Sequence, residues 1–421
     1  MKIQPWSDNP RWHESDPKMV ELRSAPVQFP HTSRLAAEIP IKPAGIVLLR
    51  GPRQVGKSTL LRQFAQRCIH DGVAPESVVL FDVEELEDRH QLAGELRAFR
   101  NSRKGYCIVL LDEFTSIEKW WLALKTLADG GVLADTLVLG TGSSSYDIAE
   151  GADLMPGRRG KRYPVDFELL PLSYRDVADK VTLDEYFLTG GFPHALNEFL
   201  SKGIIPAYVY DLYFSWIAGL FIKRNRSIHH LPLLLQYLGR HAGSTMSVQK
   251  LSRDCGIGSN NTGEEYVEIM ERGYTLLTAL WAAPDGGAVS VRKNRKFYPA
   301  DPFLFHVFAH AGAGWETAFA SARDRMNDPE TCGALAETIV ATEIRRQTNS
   351  GKLHYWSGKK EIDFVAKTLV EVKYRNVVRA DEFAWVEPML QSGQKFVVVT
   401  KDINAVKGGI ELIALKRWLT E

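Results

Sequence analysis

The sequence predicts an α/β protein with a nucleotide-binding core, and three observations support this class. A glycine-rich loop at residues 51–58 separates an apolar run from a helix-like stretch. Strand-like runs alternate with helical stretches, as in a parallel sheet wrapped by helices. A second mixed pattern, with acidic residues and a lysine at fixed spacing, lies near the C-terminus. The strands of the first pattern are predicted at Ile46–Leu49, Val78–Phe81, Cys107–Leu111 and Thr136–Leu139.

The loop Gly-Pro-Arg-Gln-Val-Gly-Lys-Ser fits the spacing G-x-x-x-x-G-K-[ST] between a strand and a helix. Its backbone N–H groups can surround phosphates at a positive helix N-terminus, Lys57 can reach the outer phosphates, and Ser58 can ligate Mg²⁺. An ordinary glycine-containing turn is the alternative. The sequence therefore predicts an ATP site formed by Gly51, Pro52, Arg53, Gln54, Val55, Gly56, Lys57, Ser58 and Thr59.

Two later strand ends carry polar residues that suit nucleotide hydrolysis. The run Leu110-Leu111 ends in Asp112 and Glu113, at the sheet edge where open α/β sheets bind ligands. Asp112 is expected to hold Mg²⁺ and Glu113 to polarise the attacking water. Thr141, at the end of the next strand, is expected to sense the γ-phosphate or position that water. A plain Ser/Gly turn is the alternative for Thr141.

A basic loop follows at residues 155–162 and includes Arg158 and Arg159. Either arginine is a candidate finger that stabilises the γ-phosphate of its own or a neighbouring subunit, so a homo-oligomer is possible. A solvated basic loop explains the same residues.

The composition is that of a globular protein. Hydrophobic residues make up 45% and charged residues 24% of the 421 residues, and this length predicts two or three domains. Apolar runs are shorter than the roughly 18 residues of a membrane helix, and the N-terminus lacks a secretory pattern, which predicts a cytoplasmic protein without a membrane partner. Because the formal net charge is +1, nucleic-acid contacts must come from local patches.

The order of the phosphate loop, Leu-Asp-Glu, Gly-Arg-Arg, Pro-Leu-Ser-Tyr and Gly-Gly-Phe-Pro resembles one prokaryotic family of AAA-type ATPases, whose C-terminal half is a domain of unknown function. The resemblance runs from about Ile46 onward. It implies an ATPase core, a helical and winged-helix middle and a restriction-endonuclease-like α/β domain. The expected segments are an N-terminal arm (1–43), the core (44–170), a helical lid-like segment (171–230), a winged-helix domain (231–310) and the endonuclease-like domain (311–421).

The middle segment also predicts a helix-turn-helix followed by a two-stranded wing. Helices are expected at Leu231–Gly239, Val248–Cys255 and Thr262–Glu271, and strands at Leu276–Ala282 and Val289–Tyr298. The wing carries a cluster expected to contact DNA phosphates. The second helix is rich in glutamate, which disfavours the major groove, so a spacer or protein-docking module is the alternative. The basic cluster consists of Arg292, Lys293, Arg295 and Lys296.

The C-terminal segment predicts a second chemical site. Glu337 lies on the apolar face of a helix, and Glu371 and Lys373 share one face of a strand by period-2 alternation. A hairpin turn near Lys367 would bring Asp363 to the same face. Asp363 and Glu371 can then hold a divalent cation, and Lys373 can orient or activate the attacking water. Glu337 can complete the cation shell or position its water. This resembles the D…(D/E)-x-K pattern of restriction-endonuclease-like nucleases.

The sequence thus predicts an ATP-hydrolysing AAA-type protein that uses Mg²⁺ and acts on duplex or branched DNA, with a metal-dependent endonuclease-like domain. Two alternatives remain. One is a DNA-stimulated motor with an inactive nuclease fold, and the other is a nucleotide-gated switch or scaffold.

Overall fold

The computed structural model describes residues 2–142, 148, 151–161, 163–285, 287–348, 351–391 and 393–421. The chain divides into two compact units, residues 1–171 and 172–421. Because the predicted helical, winged-helix and endonuclease-like segments all lie after residue 171, the second unit holds all three of them.

The first unit is built on one twisted sheet. Its strands are ordered β1-β3-β4-β5-β2-β6, and every pair except β1 with β3 is parallel. The strand β5 therefore lies between β2, which precedes the phosphate loop, and β4, which ends in the acidic pair. The strands are β1 (Lys2–Ile3), β2 (Gly45–Arg50), β3 (Val78–Asp82), β4 (Cys107–Asp112), β5 (Thr136–Thr141) and β6 (Asp166–Glu168).

Helices cover both faces of this sheet. Because side chains alternate along a strand, Val47 and Leu49 enter one apolar core while Ile46 and Leu48 enter the other. The four central strands predicted from the sequence are confirmed to within two residues at each end. The helices of this unit are Pro17–Ser24, Pro30–Glu38, Lys57–His70, Arg89–Asn101 and Trp120–Asp129.

The N-terminal arm packs against the core of the first unit. Trp6 and Trp12 are buried with ring centroids 5.0 Å apart, and the Trp6 indole N–H donates to the Val78 carbonyl at 2.8 Å. Asp16 pairs with Arg62 at 3.3 Å, and β1 adds to the sheet edge beside β3. The tryptophans of the arm are thus core residues of the first unit.

The second unit begins with a run of helices that surround one apolar core. A helix, a short strand, two further helices and three strands follow one another between residues 231 and 299. The helices of this unit are Tyr174–Val177, Leu183–Thr189, Pro193–Lys202, Ala207–Ile222, Leu231–Arg240, Val248–Asp254, Asn260–Arg272, Pro302–His310, Ala318–Arg325, Pro329–Gln347 and Leu415–Thr420.

Two sheets complete the second unit. The first is ordered β12-β11-β8-β10-β7 with β9 beside β8, and the second is ordered β13-β14-β15-β17-β16. The parallel pairing of β11 with β8 makes one sheet from the middle and C-terminal segments. The strands are β7 (Thr245–Met246), β8 (Leu276–Ala282), β9 (Val289–Ser290), β10 (Arg295–Pro299), β11 (Leu353–Ser357), β12 (Glu361–Ile362), β13 (Phe364–Val365), β14 (Leu369–Lys373), β15 (Phe396–Thr400), β16 (Ala405–Lys407) and β17 (Ile410–Ala414).

Within the described residues, no helix combines the length and the apolar character needed to cross a membrane.

Candidate functional sites

The phosphate loop connects β2 to the helix Lys57–His70 and is shaped to receive an anion. Gly56 has a φ of 100° and caps the helix, a conformation that favours glycine. Across the described chain, no hydrogen-bond acceptor takes the N–H groups of Gln54, Val55 or Gly56. Unpaired N–H groups at a helix N-terminus form an anion site, so the loop fits the phosphates of a nucleotide.

Lys57 lies folded inside this loop. Its ammonium donates to the carbonyls of Gly51 at 3.0 Å and Pro52 at 2.7 Å. Burial lowers the pKa of Lys57 to about 8, against the nearby carboxylates of Glu113 and Asp112, which favour its charged form. The two hydrogen-bond partners of the Lys57 ammonium are neutral carbonyl oxygens. A phosphate bound in the loop would place a negative charge beside this ammonium.

The acidic residues predicted to act in hydrolysis lie at the same sheet edge. Asp112 ends β4 and Thr141 ends the adjacent strand β5, and the Thr141 hydroxyl donates to Asp112 Oδ1 at 2.8 Å. Thr141 is fully buried. Glu113 follows with a φ of 51°, a left-handed conformation that is rare outside glycine and concentrates at functional sites. Lys57, Asp112 and Glu113 therefore face one site.

The N-terminal arm also contacts the phosphate loop, which the sequence did not predict. His31 is buried, and its Nε2 lies 2.9 Å from the Val55 carbonyl, so this nitrogen carries the proton and donates it. A Cβ added at Gly56 would lie 3.0 Å from the Thr32 methyl group and 3.3 Å from the Phe29 ring. These residues lie well before the loop in sequence and follow no motif, so no sequence signal marks them.

The two candidate arginine fingers have different surroundings. The Arg159 guanidinium forms a bidentate pair with Asp166 at 2.9 and 3.0 Å and donates to the carbonyls of Val165 and Ile46. These bonds connect β2 with β6, so the Arg159 guanidinium is engaged within its own unit, and its finger role stays a prediction. Arg158 pairs with Asp129 at 2.9 Å, and 36% of its side chain is exposed.

The C-terminal residues predicted to form one site do lie together. The antiparallel register pairs Phe364 with Val370, which brings Asp363 beside Glu371. The Asp363 N–H donates to Glu371 Oε2 at 3.2 Å, and Lys373 Nζ lies 2.5 Å from Glu371 Oε1. The predicted hairpin near Lys367 is confirmed.

Lys296 occupies the centre of this group, and here the sequence-based prediction was wrong. Lys296 was expected to contact DNA phosphate, but its side chain, in β10, is only 1% exposed. Its ammonium is 2.6 Å from Asp363 Oδ1, 2.6 Å from Glu361 Oε1 and 3.1 Å from Glu337 Oε1. The predicted cluster of four exposed basic side chains therefore does not exist.

The electrostatics of the cluster follow from burial and from this ammonium. Burial opposes the charge of Lys296, but Asp363 and the neighbouring acids raise its pKa well above its ordinary value. Burial likewise opposes the charge of Asp363, and Lys296 lowers the pKa of that carboxyl. Burial, together with the charge of Asp363, raises the pKa of Glu337 and that of Glu371. Lys296 and Asp363 thus form the charged pair at the centre.

The predicted divalent cation does not fit these residues. The described part of the chain contains no group of three or more His, Cys, Asp or Glu side chains that could hold a metal ion. Asp363 Oδ1 accepts from Lys296, and Asp363 Oδ2 accepts from the Val372 N–H at 2.9 Å. The cation site expected between Asp363 and Glu371 is therefore not formed.

The remaining basic residues near the predicted wing are divided between two environments. Arg295 makes a bidentate pair with Glu264 at 2.8 and 3.1 Å and so neutralises part of the glutamate-rich helix. Arg292 and Lys293 are exposed in the turn between β9 and β10, and the Lys293 ammonium lies 3.2 Å from the Trp281 ring centroid. Only these two of the four predicted residues can meet a phosphate.

The fold and the first site define the class of the first unit. The first unit has the features of a P-loop nucleotide-binding domain. Its parallel sheet places one strand between the phosphate-loop strand β2 and the acidic strand β4. The phosphate loop leads into Lys57, and Asp112 and Glu113 lie at the end of β4. Residues 44–178 match the family described as AAA domain. Residues 44–178 are therefore similar to an AAA-type ATPase domain, a fold class that implies nucleotide binding.

The second unit matches two families of unknown function. Residues 180–315 match the domain of unknown function DUF8612, and residues 332–418 match the domain of unknown function DUF4143.

Proteins of similar sequence span most of the chain. An uncharacterised protein of Haemophilus influenzae is 23% identical over 418 residues, which cover 89% of this chain and 94% of that protein. An uncharacterised protein of Mycobacterium tuberculosis is 33% identical over 327 residues, which cover 76% of this chain and 66% of that protein. Among solved structures, the Walker-type ATPase of Pyrococcus abyssi is 17% identical with a TM-score of 0.44, covering 66% of this chain and 95% of that one.

Proposed function

We propose that this protein hydrolyses ATP at the phosphate-loop site and acts on DNA through its second unit without cutting it. The observation that carries the ATPase proposal is the convergence of Lys57, Asp112 and Glu113 at one sheet edge, with Thr141 bonded to Asp112. Nucleotide binding without hydrolysis would require only the phosphate loop. The carboxylate pair suits hydrolysis, because it can hold a metal ion and orient water.

Each residue of this site has a distinct proposed role. The N–H groups of Gln54, Val55 and Gly56 bind phosphate oxygens, and Lys57 leaves its two carbonyl partners to pair with the outer phosphates. Ser58 and Asp112 would hold Mg²⁺, which when bound neutralises charge on the β- and γ-phosphates. Glu113 orients the attacking water and takes its proton. Thr141 is a positioning residue for Asp112, because its hydroxyl is buried and engaged there.

A second subunit is part of the proposal. Arg158 is partly exposed and held by one surface ion pair with Asp129. Such a pair contributes at most about 1 kcal/mol, so the guanidinium can exchange its partner for a γ-phosphate. We propose that Arg158 serves a neighbouring copy of the chain as an arginine finger.

The proposed DNA contact is in the middle segment. Residues 231–299 follow the order of a winged helix, in which β7 pairs with β10 and β10 with β8. The exposed Arg292 and Lys293 lie at the tip of the wing. Ion pairs of Glu264 with Arg295 and of Glu265 with Arg226 reduce the negative charge of the second helix. Phosphate contact through the wing fits this surface better than base reading by that helix.

The C-terminal segment is proposed to be endonuclease-like in fold but inactive in cleavage. Asp363, Glu371 and Lys373 have the arrangement of the D…(D/E)-x-K pattern. The carboxylate oxygens that a catalytic metal would need are paired with the ammonium of Lys296.

The test is an ATPase assay of the full chain, with and without duplex and branched DNA, together with a cleavage assay in Mg²⁺ and Mn²⁺. The proposal expects ATP hydrolysis that DNA stimulates severalfold, and no cuts. Turnover that DNA leaves unchanged would favour a nucleotide-gated switch. Cuts that disappear in the variant Asp363→Asn would show an active nuclease and overturn the last part of the proposal.

A further inference from the structure

The ammonium of Lys296 is held by acidic groups from distant parts of the second unit. Glu337 comes from the helix Pro329–Gln347, Glu361 from β12, and Asp363 from the residue between β12 and β13. An ammonium has three N–H donors, and three carboxylate oxygens lie within 3.1 Å of Nζ. The charge is therefore completely coordinated by oxygen.

The group around Lys296 is ordered by additional hydrogen bonds. The Tyr298 hydroxyl, two residues along on the same face of β10, donates to Glu337 Oε1 at 2.8 Å. Asp363 Oδ2 accepts from the Val372 N–H, which fixes that carboxylate against β14. Two of the three carboxylates that face Lys296, those of Glu337 and Asp363, are thus oriented by the fold, as ligands of a bound cation are.

A divalent cation would need the same oxygens. Ca²⁺, Mg²⁺ and Mn²⁺ prefer carboxylate ligands, and an ammonium in their midst repels a second cation at short range. We propose that Lys296 is the resident cation of the endonuclease-like site. It takes the place of a divalent metal and turns the cluster into a structural joint between β10, the helix Pro329–Gln347 and β12. This proposal rests on the proposed function in one respect, the description of the C-terminal fold as endonuclease-like.

If Lys296 takes the place of a metal ion, removal of its ammonium should create a metal-binding site. All proteins are full chains carrying Lys57→Ala, so that the ATPase site contributes no nucleotide-linked metal. The probe is Mn²⁺ alone, measured by its electron paramagnetic resonance signal and by thermal unfolding. The parent should bind no Mn²⁺ at this cluster, so Asp363→Asn should leave the Mn²⁺ binding of the parent unchanged. Lys296→Gln and Lys296→Ala should each gain one Mn²⁺ site that Asp363→Asn abolishes.

The gain has an expected size. At Mn²⁺ near 100 times the dissociation constant, the Tm of the Lys296 variants should rise by about 5 °C, while that of the parent stays constant. Lys416→Ala is the control, because it removes an exposed lysine outside the cluster and should behave as the parent does.

Two results would overturn the inference. One is Asp363-dependent Mn²⁺ binding by the parent, a measurement that needs no Lys296 variant to fold. The other is a folded Lys296 variant that binds no more Mn²⁺ than the parent. Neither measurement involves ATP turnover or DNA, so failure here is distinct from failure of the proposed ATPase function.

Discussion

Thr141 and Asp112 are joined by a 2.8 Å hydrogen bond between the ends of two adjacent parallel strands, β5 and β4. The threonine hydroxyl is the donor, and Asp112 Oδ1 accepts the hydrogen bond. The bond fixes the rotation of Asp112 at the edge where the phosphate loop begins. A carboxylate that must hold a metal ion is more effective when a neighbouring group orients it.

The first prediction concerns this orientation. Thr141→Val keeps the shape of the side chain and removes the donor, so the kcat of ATP hydrolysis should fall by about 10–100-fold with a higher Mg²⁺ requirement. Thr141→Ser should restore most of the activity. Steady-state kinetics over a Mg²⁺ titration provide the measurement. An unchanged Mg²⁺ requirement in the valine variant would argue against a positioning role.

The second prediction separates nucleotide binding from hydrolysis. Lys57→Ala should weaken ATP binding by at least about tenfold, because it removes the ammonium inside the loop. Glu113→Gln should bind ATP with parental affinity and lose hydrolysis by about 100-fold or more, because an amide cannot take a proton from water. A fluorescent nucleotide titration and a phosphate-release assay distinguish the two. Parental turnover by the glutamine variant would remove Glu113 from its proposed role.

The third prediction concerns the tip of the wing. The double variant Arg292→Ala with Lys293→Ala should weaken DNA binding by about tenfold and reduce the dependence of log K on log salt by about 1–2, with little change in sequence preference. The exposed pair Lys416→Ala with Arg417→Ala is a charge-matched control. Equal salt slopes in all three proteins, measured by fluorescence anisotropy, would assign Arg292 and Lys293 to ordinary surface.

The fourth prediction concerns a glycine in the second unit. Gly190 has a φ of 57°, and an added Cβ would overlap Asp301 Oδ1. Asp301 is buried and accepts from the N–H groups of Gly191 and Phe303. Gly190→Ala should therefore lower the free energy of unfolding by about 3 kcal/mol or more, from strain and from the displaced carboxylate.

Gly203→Ala is the matched control for Gly190→Ala. Gly203 has a φ of 71°, but no atom lies within 4 Å of its added Cβ. The control should lose only the backbone term, about 1 kcal/mol. Denaturant titration of both variants measures the difference. Equal losses of unfolding free energy in the two variants would mean that the Asp301 carboxylate moves away from the added methyl group at no cost in stability.

The fifth prediction concerns acid stability. His306 is fully buried, with Nε2 3.0 Å from the Phe187 carbonyl, and burial lowers the pKa of its imidazole to about 3. The unfolded chain binds a proton here below about pH 6.5, while the folded chain does not until about pH 3. The stability that the neutral imidazole contributes is therefore complete above about pH 6.5. It is lost as the pH falls toward 3, by an amount on the order of a few kcal/mol.

The measurement is the free energy of unfolding of parent and variant between pH 7 and pH 4. His306→Gln removes the titrating group and should flatten the slope, whereas His229→Gln, at an exposed histidine, should leave the slope unchanged. A parental slope in His306→Gln would assign the acid sensitivity to other groups.

Local patterns were sufficient to predict much of the structure. The phosphate loop, the strand ends at Asp112 and Thr141, and the hairpin that joins Asp363 to Glu371 all follow from short-range periodicity, because the side-chain direction along a strand alternates strictly. These features needed no knowledge of distant contacts.

The features that were missed depend on long-range contacts. Lys296 follows an arginine in sequence, as the exposed Lys293 does, so the preceding residue does not distinguish the buried lysine from the exposed one. Its acidic partners begin 41 residues further along the chain. Likewise, the contact of His31 with Val55 depends on how the arm folds back over the core. No periodic pattern within one element encodes either contact.

The parallel pairing of β11 with β8 makes residues 276–282 and 353–357 neighbours in one sheet. A fragment that begins after residue 310 would leave β11 without β8 and expose its backbone donors and acceptors along one edge. The same cut would separate Lys296 from all three of its carboxylates. The middle and C-terminal segments therefore share one sheet and one buried charge cluster, and a fragment that keeps this sheet and this cluster intact must contain both segments.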